Sequence, residues 1–581
     1  MSIVVGDIRE RDGGAIVDGF VRALASDGTT LATVATDRFG TFALALPSGA
    51  KVAMLEIRCR YCRTVRVHIA GDGGPVVVFL ERDATLASDI PSADDLRALP
   101  YGRIADVLGL APYRLPTSGG GISDRGLARG RTLVVDDGVA IANASTLEES
   151  DLASVPDRYT QTIASIDPLQ AFRYGAHGAG GAVVIESTGD ATRLRADLGG
   201  DARDRVIAPR LEDVAVGYGA SEDLGTRARR GDFDLLAPAF GGNVRVGVGV
   251  AKSVSFPYAN APAETDRSTA LARIAYGTTS RRYITSVEGS FANVGTDRSA
   301  ADGTDYRSQY AGGSLRIERP GTVVLGITAS GTLEAAHLRN AGAAPAYDLD
   351  GRISDETLAL DARTSSERGA IAVGIGATNL SEHGTLSQRR LRGDGLALVP
   401  SFEGTLELGR GVALHVGYAG AVDAPTLGDA NLASIPGTAT FVLGRSALSE
   451  AAVRFDDGRR IRAEFGAYRG IESGFAPSST VAGFASSLAW QVVPHLDVRA
   501  WSLAGSASRA LVWTTYANPS GLRLDVIARS ERTGSFGQPL AHRTILVDAD
   551  ALVALDPIFA LDFGTVARAG ARTITLGLRV R

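Results

Sequence analysis

The sequence predicts a mostly β chain in three parts: an N-terminal β-sandwich, a small α+β domain, and a C-terminal antiparallel transmembrane β-barrel of about 22 strands. Three observations lead there. Apolar residues recur at period two through most of the chain after Arg193, the spacing of a strand with two unlike faces. Turn signals after Arg193 alternate between short and long connections, as on the two rims of a membrane barrel. Gly counts 70 of 581 residues and mean hydropathy is near zero, which argues against disorder.

A chain of 581 residues exceeds one ordinary domain. The net charge of −5 is mild for this length and gives no electrostatic case for nucleic acid. Lys51 and Lys252 are the sole lysines, and a GC-rich genome explains the arginine bias better than function does. No run of 18 apolar residues exists, so an inner-membrane helix is excluded. The start, Met1 to Asp7, has no basic region and no apolar core of signal-peptide length. Taken alone it favours a cytoplasmic protein. A membrane barrel requires instead that the chain begin after a lost or misassigned leader.

Residues 1–80 alternate short β-like runs with Gly and Asp turns, the pattern of a small sandwich. Val17–Ala25, Thr29–Ala35, Gly40–Leu46 and Val52–Ile57 are the clearest strands, with Phe39 or Phe42 anchoring the core. Cys59 and Cys62, the two cysteines, fall in Leu55–Ile69. If that segment is extended, they point to opposite faces with Cα atoms about 10 Å apart, too far for a disulfide. A local turn would permit the bridge, and a zinc site would need two more ligands where His68 alone is near. Two incidental cysteines is the favoured reading.

Residues 81–100 are polar, carry Pro91 and read as a linker. In the next domain, 101–192, Ile104–Leu110 has helix-like spacing. Gly119-Gly120-Gly121 is a loop, Thr132–Val135 a strand, and Asp136-Asp137-Gly138 the hairpin turn after it. Glycines at 175, 178, 180 and 181 suit positive φ and close packing. A phosphate loop there is a poor alternative, since no Gly-Lys-Ser/Thr follows.

In 193–581, Val244, Val246, Val248 and Val250 alternate with polar or small residues. So do Val323, Leu325, Ile327 and Ala329, and so do Ile371, Val373, Ile375 and Ala377. The sets Val412–Tyr418 and Ile461–Ala467 repeat this. A soluble sandwich would alternate too, so loop lengths discriminate. Short turns lie near Thr279, Pro320, Glu367, Gly409, Asp457-Gly458, Pro494, Pro519 and Asp556-Pro557. Longer polar loops span 295–306, 333–355, 379–393 and 421–437. Trp490, Trp501 and Trp513 are candidates for an aromatic girdle or for single core and surface positions.

No enzyme signature emerges. The seven histidines are scattered without paired metal spacing, and no Gly-x-Ser-x-Gly elbow accompanies any serine. Acid pairs Asp136-Asp137 and Asp456-Asp457 sit in turns. Arg227 with Arg229-Arg230, and the pair Arg389-Arg390, would suit an anionic ligand, but ordinary solvated charge is the stronger reading. Catalytic residues, cofactors and metal sites are therefore expected to be none.

Order carries the rest. Gly121-Ile122-Ser123-Asp124-Arg125-Gly126, then Thr132-Leu133-Val134-Val135-Asp136-Asp137-Gly138, then Ile163–Asp167 and Phe172-Arg173-Tyr174-Gly175 through Gly180-Gly181-Ala182-Val183-Val184-Ile185 follow one another. The succession resembles the plug domain of TonB-dependent outer-membrane receptors. Its motif residues here are Arg125, Gly126, Asp136, Gly138, Tyr174, Gly175, Gly180 and Gly181. The chain departs from the family pattern at Asp167-Pro168-Leu169-Gln170, before the Tyr-Gly, and at Ser165 or Asp167, where a glutamate is usual. Gly417 to Leu427 resembles a "FRAPT-L" barrel segment, and Ser449-Glu450-Ala451-Ala452-Val453-Arg454-Phe455 a "YE-x-G-x-(K/R)" strand. Thr36-Asp37-Arg38-Phe39-Gly40-Thr41-Phe42 with Leu46-Pro47-Ser48-Gly49 resembles carboxypeptidase-regulatory-like domains.

The resemblance implies a bacterial outer-membrane barrel, with the N-terminal domain in the periplasm. It implies uptake of a scarce nutrient (siderophore, vitamin or oligomeric substrate), driven by TonB and its inner-membrane energising complex. By position, Ala84-Thr85-Leu86-Ala87-Ser88 is the natural TonB-contact segment, by strand addition, although a plain tether is the commoner reading of such a linker. Ligand-binding residues carry no portable motif. Two alternatives stand beside this reading: a ligand-binding or adhesion barrel without TonB coupling, and a soluble multi-domain β protein that binds polysaccharide.

Overall fold

The computed structural model describes strand segments between residues 2 and 80, and 109–116, 122–127, 133–136, 139–141, 160–166 and 182–187. From 193 to 580 it describes most residues outside the connections, the longest omitted stretches being 256–264 and 424–443. Strand dominates and no described helix is long and apolar enough to cross a membrane.

Two sheets make the N-terminal sandwich. One orders Thr41–Leu46, Ser2–Glu10 and Val76–Leu80; the other orders Thr30–Ala35, Phe20–Leu24, Met54–Arg58 and Val65–His68. Alternate residues of both sheets, among them Ile8, Val21, Phe42, Leu44, Leu55 and Ile57, are buried together, as facing sheets require. Phe42 is fully buried, while Phe39 lies outside the described residues. The segment around the cysteines is not one extended strand. Met54 pairs with His68 and Ile57 with Val65, so the chain reverses between 58 and 65 and the argument from an extended spacing does not apply. Cys59 and Cys62 themselves lie outside the described residues.

In chain order, a mixed sheet follows the sandwich and precedes the barrel, ordered Val139–Ile141, Leu133–Asp136, Ala182–Ser187 and Thr160–Ile166. Asp136 pairs with Val139, which leaves a two-residue Asp137-Gly138 connection of the kind hairpins favour. Asp136 is thus the last strand residue rather than part of the turn. Residues 104–108 of the expected helix lie outside the described residues, and Leu110 is in a turn. Arg114–Pro116 and Ile122–Asp124 form a separate hairpin.

The barrel closes where Arg193–Leu198 pairs with Ala571–Val580. Arg203–Ala208 and Arg210–Leu211 pair with the same neighbour, Val214–Asp223, and are one interrupted strand. Counted so, the described barrel has about 22 antiparallel strands. All eight expected short turns join paired strands on one rim, from Thr279/Ile284 to Ala554/Phe559.

The expected long loops are mostly strand. The ladder between Val324–Asn340 and Tyr347–Ser366 runs to Asn340↔Tyr347. That between Gly369–Leu386 and Arg389–Gly409 leaves residues 387–388 alone, and that between Ile284–Arg298 and Thr304–Arg319 leaves 299–303. Polar composition signalled loop, but beyond the bilayer both faces of a strand meet water, so a ribbon there is polar on both sides. The fourth stretch, 421–437, lies mostly outside the described residues.

The alternation has the direction a membrane demands. On Arg389–Gly409, Leu396 and Leu398 are 67% and 62% exposed while Ala397 and Val399 are buried. Outward apolar positions run from Leu396 to Leu408 on that strand, roughly 13 residues at about 3.4 Å each and a tilt of about 40°. They rise about 30–35 Å, the thickness of a hydrocarbon core. Only Trp490 of the three tryptophans joins this outer face, near the short-turn rim. Trp501 and Trp513 occupy the opposite parity, point inward and are buried.

Candidate functional site

The plug hairpin seats against one wall of the barrel lumen. Its backbone is bent into the left-handed region at Tyr113 (φ 67°), Arg125 (φ 50°) and Gly126 (φ 79°). Such values are uncommon for residues other than glycine and cluster at functional contacts. Two short hydrogen bonds hold the bend: the Arg125 amide donates to the Tyr113 carbonyl at 2.9 Å, and the Leu127 amide to the Asp124 carbonyl at 2.8 Å.

Four buried charges meet here. Arg114 and Arg125 of the hairpin flank Asp124 at 3.2 and 2.6 Å, and Arg125 reaches Glu450 on the barrel strand Gly444–Asp456. Two cations and two carboxylates leave the group neutral. Neutrality matters because an uncompensated charge buried this deeply costs several kcal/mol. The Arg125 guanidinium also stacks 4.9 Å from the Tyr113 ring centre, adding a cation–π contact.

A second set of contacts continues around the wall. The Tyr113 hydroxyl donates to Glu464 at 3.0 Å, and Arg454 donates to the other oxygen of the same carboxylate at 2.6 Å. Burial pushes the Tyr113 phenol well above the usual tyrosine range, and the Glu464 charge pushes the same way. Trp501 donates its indole N–H to the Leu110 carbonyl at 3.0 Å, and Arg509 donates to the Arg114 carbonyl at 3.3 Å. Leu127 fills space over Gly470, where an added Cβ would collide with its Cδ2. On another side of the lumen, Val139–Ile141 touches the strands Thr265–Thr279 and Ile284–Arg298. The hairpin thus lies inside the barrel, since Glu450, Trp501 and Arg509 are buried on the face opposite the exposed apolar positions.

Of the motif residues, Arg125 and Gly126 lie at this contact, and Asp136 ends a strand of the mixed sheet. Gly138, Tyr174, Gly175, Gly180, Gly181 and the segment Ala84 to Ser88 lie outside the described residues. The partners Glu464, Tyr113 and Arg509 are not singled out by the sequence. Their signal was weak: Glu464 sits on the polar face of an alternating strand, one lumenal charge among many. Glu450 and Arg454 both lie in the fragment with barrel resemblance.

Among the described residues no cluster of three or more His, Cys, Asp or Glu is placed to hold a metal. His337 and Asp350 pair across two strands at 2.7 Å on the outer ribbon, and His415 is buried in the wall beside Thr405. Asp457 accepts from the Arg460 and Ile461 amides, which gives it a turn-capping role, while Asp456 accepts from Arg462. The side chains of Arg227, Arg229, Arg230, Arg389 and Arg390 lie outside the described set.

Solved structures share this fold. The siderophore receptor PirA from Pseudomonas aeruginosa matches 86% of this chain and 99% of its own, with a TM-score of 0.64 at 14% identity. The ferric citrate transporter FecA, in its unliganded form, matches 84% and 95%, with 0.68 at 12%. The copper transporter OprC matches 83% and 96%, with 0.68 at 11%. The fold is that of plugged outer-membrane receptors. No family model and no curated protein matches the sequence. The buried charges of the hairpin lie where it meets the barrel wall.

Proposed function

We propose that this chain takes up a scarce nutrient across a bacterial outer membrane through a plugged barrel, with energy delivered by TonB. The observation that carries the proposal is the ion pair from Arg125 of the plug hairpin to Glu450 of the wall, inside a closed barrel with an outward apolar belt. A pore blocked by a stopper that is bonded to its wall needs work to open. That arrangement suits active transport better than passive flow.

In this reading residues 1–80 are a carboxypeptidase-regulatory-like domain on the periplasmic side, 81–100 a linker, 101–192 the plug and 193–581 the barrel. Ala84–Ser88 pairs with TonB, and the plug residues Arg125, Gly126, Asp136, Gly138, Tyr174, Gly175, Gly180 and Gly181 shape the stopper. The ligand is a small molecule or an oligomer bound at the outer mouth and plug apex. The named neighbours carry siderophores, ferric citrate and copper, which supports a small metal-bearing cargo. The chain performs no chemical step on it.

The test uses cells expressing the full chain and a panel of labelled iron, copper and cobalamin complexes. One complex is expected to bind and accumulate, and accumulation should stop with a protonophore or on deletion of residues 81–92 while binding survives. Accumulation indifferent to both treatments would refute energised transport. Binding without accumulation in either form would favour the uncoupled ligand-binding barrel.

A further inference from the structure

The sandwich and the barrel mouth share one apolar cluster. Val324 opens the strand Val324–Asn340 at the short-turn rim. Val323 and Leu325 on either side are exposed on the outer face, so alternation turns Val324 to the lumen, where it is buried. The cluster to which Val324 belongs is the core of the N-terminal sandwich: Ile8, Val21, Val34, Phe42 and Leu55 are members, and Leu31 and Ala32 pack against it. The sandwich strand Thr30–Ala35 lies against the barrel strand Tyr347–Ser366, whose Arg363 is the cross-strand partner of Val324.

Charge surrounds this apolar point. Arg363 donates to Glu318, which also receives Arg316, and Arg316 continues to Asp361 and Thr328. Glu318, Arg316, Asp361 and Thr328 are all buried. Twenty-two strands enclose a lumen too wide for side chains alone to fill. Charges close to its mouth meet water unless a body covers them, and the sandwich lies against this stretch of wall.

We propose that the N-terminal sandwich is a second stopper: it seats inside the short-turn mouth on Val324 and the Arg363–Glu318 pair, and closes the lumen below the plug. The seat stands on geometry alone. Its meaning as a barrier on the exit path rests on the uptake reading above. Among the described residues the apolar part of the seat is small, Val324 beside the Arg363–Glu318 and Arg316–Asp361 pairs, and a small contact releases without unfolding either body, as a movable stopper requires.

The test needs no transport, so its failure is separate from failure of the uptake reading. It uses the full chain carrying Cys59→Ser and Cys62→Ser, folded in lipid and shown to be a closed barrel by its heat-dependent gel mobility. Ala32→Cys with Val324→Cys is expected to cross-link with a short bifunctional maleimide. A lone Thr328→Cys is expected to react slowly with a bulky, charged maleimide, and at least tenfold faster once Val324→Asp lifts the sandwich. Leu31→Glu, which leaves the barrel wall intact, should produce the same acceleration. No cross-link in a closed barrel would overturn the proposal, as would a Thr328→Cys labelling rate unmoved by Leu31→Glu.

Discussion

Breaking the Arg125–Glu450 pair tests the stopper directly. Arg114, Asp124, Arg125 and Glu450 are nearly fully buried and sum to zero charge. Glu450→Ala removes one negative member and leaves a net positive charge on the hairpin, away from water. Removing one partner of a buried pair costs about 3–5 kcal/mol. At about 1.4 kcal/mol per decade, that weakens seating of the hairpin by roughly a hundredfold to a few thousandfold. The Arg125 and Leu127 amides report seating, because their acceptors, Tyr113 O and Asp124 O, belong to the same bend. Their hydrogen exchange should accelerate by that factor in Glu450→Ala and in Arg125→Ala, with the barrel amides unchanged. Arg125→Met with Glu450→Met should recover much of the loss, since an apolar pair of similar volume carries no desolvation penalty. Acceleration below about tenfold in both single variants, or a double variant as fast as the worse single, would refute the reasoning.

Other outcomes follow from the same contacts. Trp501→Phe removes the indole donor to the Leu110 carbonyl and should destabilise the seated hairpin by about 1 kcal/mol, read by the same exchange experiment. Phe402→Arg puts a charge on the lipid face at the middle of the Leu396–Leu408 belt and should cost about 2–4 kcal/mol. Denaturant titration of the barrel in lipid measures this, and a neutral result would remove the belt from the membrane. For pH, Tyr113 has a folded pKa raised above its unfolded value of about 10. Its contribution is therefore fully present below about pH 10 and lost as pH climbs through the higher folded value. Protease cleavage within 109–127 should rise steeply above pH 10, and Tyr113→Phe should flatten that rise. A boiled-only shift in gel mobility after refolding in detergent is the first check on the barrel itself.

The barrel was legible because a lipid face imposes one rule on every strand. Val323, Leu325 and Ile327 must point out, whatever lies inside, and a two-residue period records it. Short turns were legible for the same reason: Pro494, Gly409 and Asp457 interrupt runs that otherwise alternate. Polar ribbons were misread as loops because, past the lipid, the rule lapses and nothing in Tyr347 to Arg352 distinguishes strand from coil. Trp501 shows a different limit. Its parity within Leu496–Gly505 fixes the inward direction only once the strand boundaries are known. The site was half legible: Arg125 belongs to an ordered motif, but Glu464 and Arg509 acquire meaning through contacts across some 350–400 residues of chain.

The ribbons above the belt have a consequence for how such a mouth changes over time. Gly369–Leu386 and Arg389–Gly409 are paired right up to a two-residue connection, so the backbone of the collar is held by its ladder and has little ordering entropy left to lose. Height is then a quantised trait. Deleting one residue turns every position beyond it to the other face, whereas removing two from each strand keeps both faces and lowers the collar by about 7 Å along the strand. New specificities are reached most cheaply by exchanging inward residues at constant length, or by trimming the collar in matched pairs.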